Sequence, residues 1–230
     1  MPAYFNMTLE FERKNIYPQF VHNLHEALRK AGLTFKCGER GFENISEQEV
    51  ITWNQSKLEE NFKLGFTEHY AHDYRQTLYE YGNFSEVRGF WMNGYPEEGE
   101  CTYELIIPED DLILWEEDYH DALCYKKKEI GELTAAAKVL WTELPLMTIQ
   151  TGTELDSAIV SISRCRAGKL PTMRPFAVIP EELGGLFEDG NVHERMHIQK
   201  IEKAGILVTD FTTEKENIYI QDLEFWRRER

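Results

Sequence analysis

The sequence predicts an α+β fold, antiparallel sheets with packed helices, arranged as two similar lobes. Three observations carry that expectation. Strand-type alternation over residues 74–108 comes in three consecutive segments with no helical pattern between them, which makes an antiparallel meander rather than a βαβ series. Helical spacing is confined to separate segments with their own start and stop signals. Residues 22–35 (HNLHEALRKAGLTF) also echo residues 193–208 (HERMHIQKIEKAGILV), each reading as a helix, Lys-Ala-Gly and a strand. The echo favours an N-terminal lobe over 1–125 and a C-terminal lobe over 126–230. No low-complexity linker separates them, so they are expected to share an interface.

In chain order, residues 4–12 alternate and are rich in aromatics, a first strand. Asn15 opens a helix with Pro18 in its first turn, where proline's missing N–H is tolerated. Phe20, Leu24, Ala27 and Leu28 form its face and Gly32 ends it. Residues 33–37 read as a second strand and 38–44 as a turn or loop. Ser46 followed by Glu49 is a capping box, starting a helix through Val50, Trp53 and Leu58. The meander takes 74–82, 86–93 and 101–108. Leu112, Trp115, Tyr119 and Leu123 fall at helical spacing, so 110–125 reads as a helix with an acidic start. Ile130, Leu133, Ala137, Leu140, Trp141 and Leu144 make the clearest helical stripe, closed by Pro145. Residues 146–151 form a strand. Thr153 with Asp156 caps a helix through Leu155, Ile159 and Ile162, with a strand through Ile159, Ser161 and Ser163 as the competing reading. Residues 175–179 are a short buried strand. Asn191 caps a helix to Lys203, and 206–211 with 217–223 form a hairpin.

Charge narrows the function. The chain has 25 basic and 41 acidic residues, a formal charge of −16, which repels nucleic-acid phosphates and anionic lipid. Nucleic acid and membrane surfaces are therefore excluded as partners; the excess suits a basic protein partner, or solubility alone. Cys37, Cys101, Cys124 and Cys165 form no CxxC pair, which points to reduced thiols in the cytoplasm. The start, MPAYFNMTLEFERK, lacks the pattern of a signal peptide, and no apolar run is long enough for a transmembrane helix.

The acid is concentrated between Arg88 and Lys126, a stretch without lysine or arginine but threaded with aromatics. A solvating acidic tail has few such residues. This reads as folded structure showing one sign of charge outward. Glu97, Glu98, Glu100, Glu104, Asp110, Asp111, Glu116, Glu117 and Asp118 supply the charge. Trp91, Tyr95, Tyr103 and Trp115 are candidate anchors within it.

One motif suggests different chemistry. His193-Glu194-Arg195-Met196-His197 has the HExxH form, which on a helix sets two histidines on one face around zinc, with the glutamate as general base. Over these five residues the chain resembles the zincin metallopeptidases, which would make His193 and His197 ligands, Glu194 the base and zinc the cofactor. A third ligand would have to come from Glu216 or Glu224, and Arg195 sets a cation between the ligands. The competing reading is an amphipathic helix with Val192, Met196 and Ile201 inward and both histidines outward, without a cofactor. No phosphate-cradling glycine loop and no GxSxG elbow is present in the sequence.

The leading expectation is a non-enzymatic acidic binding protein that docks and neutralises a basic protein, for example a nuclease or toxin whose cleft is positive. In size and charge the chain resembles the immunity proteins of bacterial toxin–immunity pairs. That resemblance implies a partner encoded in the neighbouring reading frame. The alternative is a zinc-dependent hydrolase using the HERMH segment.

Overall fold

The computed structural model describes residues 3–60, 73–92, 99–114, 122–154, 159–188 and 196–224. The fold is α+β, organised around strand β1 (Tyr4–Glu12). β1 pairs antiparallel with β6 (Glu100–Pro108) on one side and with β9 (Leu146–Thr153) on the other. From β6 the sheet continues through β5 (Val87–Met92), β4 (Gln76–Glu80), β2 (Thr34–Arg40) and β3 (Glu43–Ile45). From β9 it continues through β10 (Phe176–Pro180), β12 (Gly205–Thr209) and β11 (His197–Ile201), ten strands among the described residues. A smaller sheet has the order β13 (Thr213–Lys215), β14 (Ile218–Asp222), β8 (Ala122–Lys126), β7 (Ile113–Leu114).

Strand alternation decides which face is dry. Phe5, Met7, Leu9 and Phe11 point to one side of β1 and are fully buried. Helices α1 (Phe20–Lys30), α2 (Glu47–Glu59) and α4 (Lys127–Glu143) contribute Leu24, Leu28, Leu58, Leu133 and Leu140 to the same core. The Ser46–Glu49 capping box forms as the sequence predicts, so α2 starts where expected. A second cluster covers the opposite face of β10 and β12. It takes Ile162 and Cys165 from α5 (Ile162–Arg166), and Leu183 and Phe187 from the 3₁₀ turn Glu181–Phe187.

Several expectations are corrected. The first helix begins at Phe20, not Asn15: Arg13–Asn15 form a 3₁₀ turn and Gln19 takes a left-handed φ of 72°. The expected loop 38–44 is a tight hairpin, because β2 runs on to Arg40 and pairs with β3. Of the expected helix 110–125, only α3 (Glu109–Leu112) is helical; Ile113 and Leu114 pair with Tyr125 and Cys124, and 115–121 lie outside the described residues. Sheet pairing with β14 overrides the helical spacing there and buries Tyr125 in the main core. Part of the expected helix after Thr153, residues 155–158, also lies outside the described residues; Ile159 to Ser161 are neither helix nor strand.

The expected helix 191–203 is a strand from His197 onward. Lys-Ala-Gly ends α1, but its echo closes the β11–β12 hairpin, with Lys203 and Ala204 at φ 56° and 48°. Gly205 is required there, since a Cβ would meet Trp141 Nε1 at 2.3 Å. The expected hairpin of 206–211 with 217–223 is likewise replaced. β12 pairs with β10 and β11, while β13 and β14 form their own hairpin in the smaller sheet. The boundary at 125/126 falls inside β8, and the β1–β9 pairing carries one sheet across it. Among the described residues, no helix is long and apolar enough to cross a membrane.

Candidate functional site

The face of the sheet opposite α1 and α4 is built by the even-numbered residues of β1, β6 and β5. Register aligns Thr8, Glu104 and Phe90 in one row, Glu10, Thr102 and Met92 in the next, and Asn6, Ile106 and Arg88 on the other side. Leu78 of β4 stands beside Arg88. Phe90, Met92, Ile106 and Leu78 are half-buried and belong to neither apolar core. The result is a strip of four half-buried apolar side chains beside a carboxylate, on a face that also carries Thr8, Thr102 and Arg88.

Glu104 is that carboxylate. Thr8 Oγ1 donates a short hydrogen bond to its Oε2. Burial raises its pKa above the ordinary carboxylate value, opposed by the hydrogen bonds from Thr8 and Thr102. Glu10, two residues along β1, is fully buried and structural: Thr148 Oγ1 and the Ile162 amide both donate to it, the latter at 3.0 Å. Arg88 is a cation on this face. Its guanidinium donates to Glu39 Oε2 at 2.6 Å, Gln76 Oε1 at 3.0 Å and Glu86 Oε1 at 3.3 Å.

Gly89 makes the other face possible. A Cβ there would meet Tyr103 Oη at 2.2 Å and Tyr79 Cε2 at 2.8 Å. The two tyrosine hydroxyls are 2.8 Å apart beneath it. Tyr103 and Trp91, expected as outward anchors, are therefore core residues at 1% exposure. Alternation gives the reason: odd positions of β5 and β6 face the helices, where Trp91 packs on Phe11, Phe20 and Tyr103.

The expected acidic patch is redistributed in the same way. Glu100 is buried at 2% exposure and Glu104 lies half-buried on the sheet face. Asp110 is exposed on α3; Asp111 is half-buried and accepts from the Ser85 amide at 2.7 Å and the Ser85 hydroxyl at 2.8 Å. Tyr95, Glu97, Glu98, Trp115, Glu116, Glu117 and Asp118 lie outside the described residues. The described acids of the stretch thus do not form one outward patch.

Of the HExxH segment, His193 and Glu194 lie outside the described residues. His197 is exposed at the start of β11, paired with Thr209. The zincin arrangement needs both histidines one helical turn apart, and His197 stands in a strand. Among the described residues no group of three metal-binding side chains is present. None of the four cysteines lies in a disulfide, and burial pushes the Cys101 and Cys165 thiols up to about 12.

Sequence reasoning missed Phe90, Met92 and Arg88 as a surface. Their alternation with Gly89 and Trp91 was readable, but which face the helices take is fixed by contacts distant in sequence.

No family profile matches the sequence, and no curated protein does. Among solved structures, the chain is similar to the Pseudomonas aeruginosa T6SS protein PA0821, with 9% sequence identity and a TM-score of 0.42. The match covers 90% of this chain and 65% of that one, so this chain spans about two thirds of that protein's length.

Proposed function

We propose that the protein is a non-enzymatic binder of a basic protein partner, acting as an immunity- or inhibitor-like neutraliser in the cytoplasm. The observation that carries this reading is the β6–β5–β4 sheet face, with Glu104 set among Phe90, Met92, Ile106 and Leu78. An arginine or lysine from a partner fits such a surface. Its charged end meets the Glu104 carboxylate, while its aliphatic stem covers Phe90 and Met92. Partial burial strengthens such a pair relative to one in open water. The formal charge of −16 supplies long-range steering toward a positive partner. Four cysteines outside any disulfide suit the proposed cytoplasmic setting.

The test uses the purified protein encoded by the neighbouring reading frame, with any catalytic centre disabled. The reading expects a stoichiometric complex that weakens as salt rises, and a loss of roughly tenfold or more in affinity for Glu104→Gln. A neighbouring product that does not bind, or binding indifferent to Glu104, contradicts it.

A further inference from the structure

The carboxylate on the β5–β6 face is oriented but not neutralised. Glu104 stands opposite Thr8 on β1 and opposite Phe90 on β5. The hydroxyls of Thr8 and Thr102 hydrogen-bond its side chain, that of Thr8 at Oε2. Both are neutral donors. Among the described residues no lysine or arginine pairs with Glu104, and no neighbouring cation pulls its pKa down. Arg88, one row away, is spent on Glu39, Gln76 and Glu86. Glu39 and Glu86 therefore have in Arg88 what Glu104 lacks. Glu104 is only half-buried, so it reaches the surface of the sheet.

Its neighbours choose between the two cations that a protein partner can offer. Residues directly opposite on paired strands have Cβ atoms about 4.5–5.5 Å apart, so the Phe90 ring stands beside the carboxylate. A guanidinium is planar: it can lie against an aromatic face while its edge donates two parallel hydrogen bonds to a carboxylate. An ammonium is a compact, strongly hydrated point charge and gains neither the fork nor the flat contact. The threonine hydroxyls fix the carboxylate for such a fork, and each of its oxygens can accept more than one hydrogen bond. Met92 and Ile106 are half-buried in the rows on either side, where they cover an aliphatic stem. This chain already uses the same contact elsewhere, with the Arg75 guanidinium 4.2 Å over the Trp53 ring.

We infer that the partner meets this face through an arginine whose guanidinium lies on Phe90 and forks onto Glu104, and that Phe90 is the residue that favours arginine over lysine. This rests on the binding function proposed above and names the group that the site receives.

The experiment uses the neighbouring-frame protein with each of its arginines changed in turn to lysine, which keeps its charge. Each form is titrated against wild type, Phe90→Leu, Phe90→Trp and Glu104→Gln. One arginine-to-lysine change should raise Kd at least tenfold against wild type and less than twofold against Glu104→Gln, where the contact is already lost. Phe90→Leu should weaken binding of the unaltered partner about fivefold or more and leave binding of that lysine form unchanged. Phe90→Trp should retain the wild-type affinity. The lysine changes lie in the partner, so they report on the contact whatever Phe90→Leu does to folding. If the wild type binds and Glu104→Gln weakens binding, but no arginine-to-lysine change reaches tenfold or Phe90→Leu weakens both forms of the partner equally, the arginine reading is overturned and the binding function stands. Failure of the wild type to bind, or binding indifferent to Glu104, overturns both.

Discussion

Glu104 on β6 and Gly89 on β5 sit on neighbouring, paired strands and show what a single position decides. Burial raises the Glu104 carboxyl above its ordinary value, so the folded chain holds that proton more tightly than the unfolded one. Its contribution to stability is therefore full below the ordinary carboxylate range and is lost as pH rises through the raised value. Glu104→Gln removes that loss. Melting curves should show the variant matching wild type in acid and becoming progressively more stable than wild type toward neutral pH. A difference that is flat with pH would show that Glu104 titrates as in water. At Gly89 a methyl group would strike the Tyr79–Tyr103 pair, so Gly89→Ala should destabilise by about 1–3 kcal/mol in denaturant titration. Neither role was legible beforehand. The sequence marks Glu104 as acidic and Gly89 as a strand glycine, but Glu104 is paired with β1 from far along the chain, and the crowding at Gly89 depends on the register that brings Tyr79 and Tyr103 under it.

The elements read well where local signals and tertiary pairing agree. The strand over 4–12, the capping box at Ser46, the meander β4–β5–β6 and the stripe of α4 all appear where pattern and chemistry place them. They fail where a helical spacing is borrowed by a sheet. Leu123 falls at helical spacing with Leu112, yet pairing with β14 places it in a strand. The Lys-Ala-Gly echo fails for a sharper reason, since Lys203 and Ala204 close a hairpin at positive φ, which neither residue advertises. Lys203 is compensated by its ammonium, which donates to the Leu144 carbonyl at the end of α4. Ala204→Gly should relieve left-handed strain and stabilise by about 0.5–1 kcal/mol, measured as a shift in the denaturant midpoint. An unchanged or lowered midpoint would mean that the turn carries no such strain.

For the molecule as a whole, β1 is the joint. It lies between β6 and β9, so sequence segments 1–125 and 126–230 complete one sheet together. Thermal unfolding should be a single transition, and the two segments expressed separately should fail to give native-like spectra, because each exposes a strand edge and half of the β1 core. Two independent transitions would restore the two-lobe expectation. The same sheet gathers the surface on which function is proposed. Its apolar strip and central carboxylate are the features on which the proposed basic protein partner would dock. The most direct measurement is calorimetric titration of the neighbouring-frame protein into wild type and Glu104→Gln between low and high salt. The account predicts tight wild-type binding that falls steeply with ionic strength, and a weaker, flatter profile for the variant. Identical profiles for the two proteins, or heat that does not depend on salt, would contradict it.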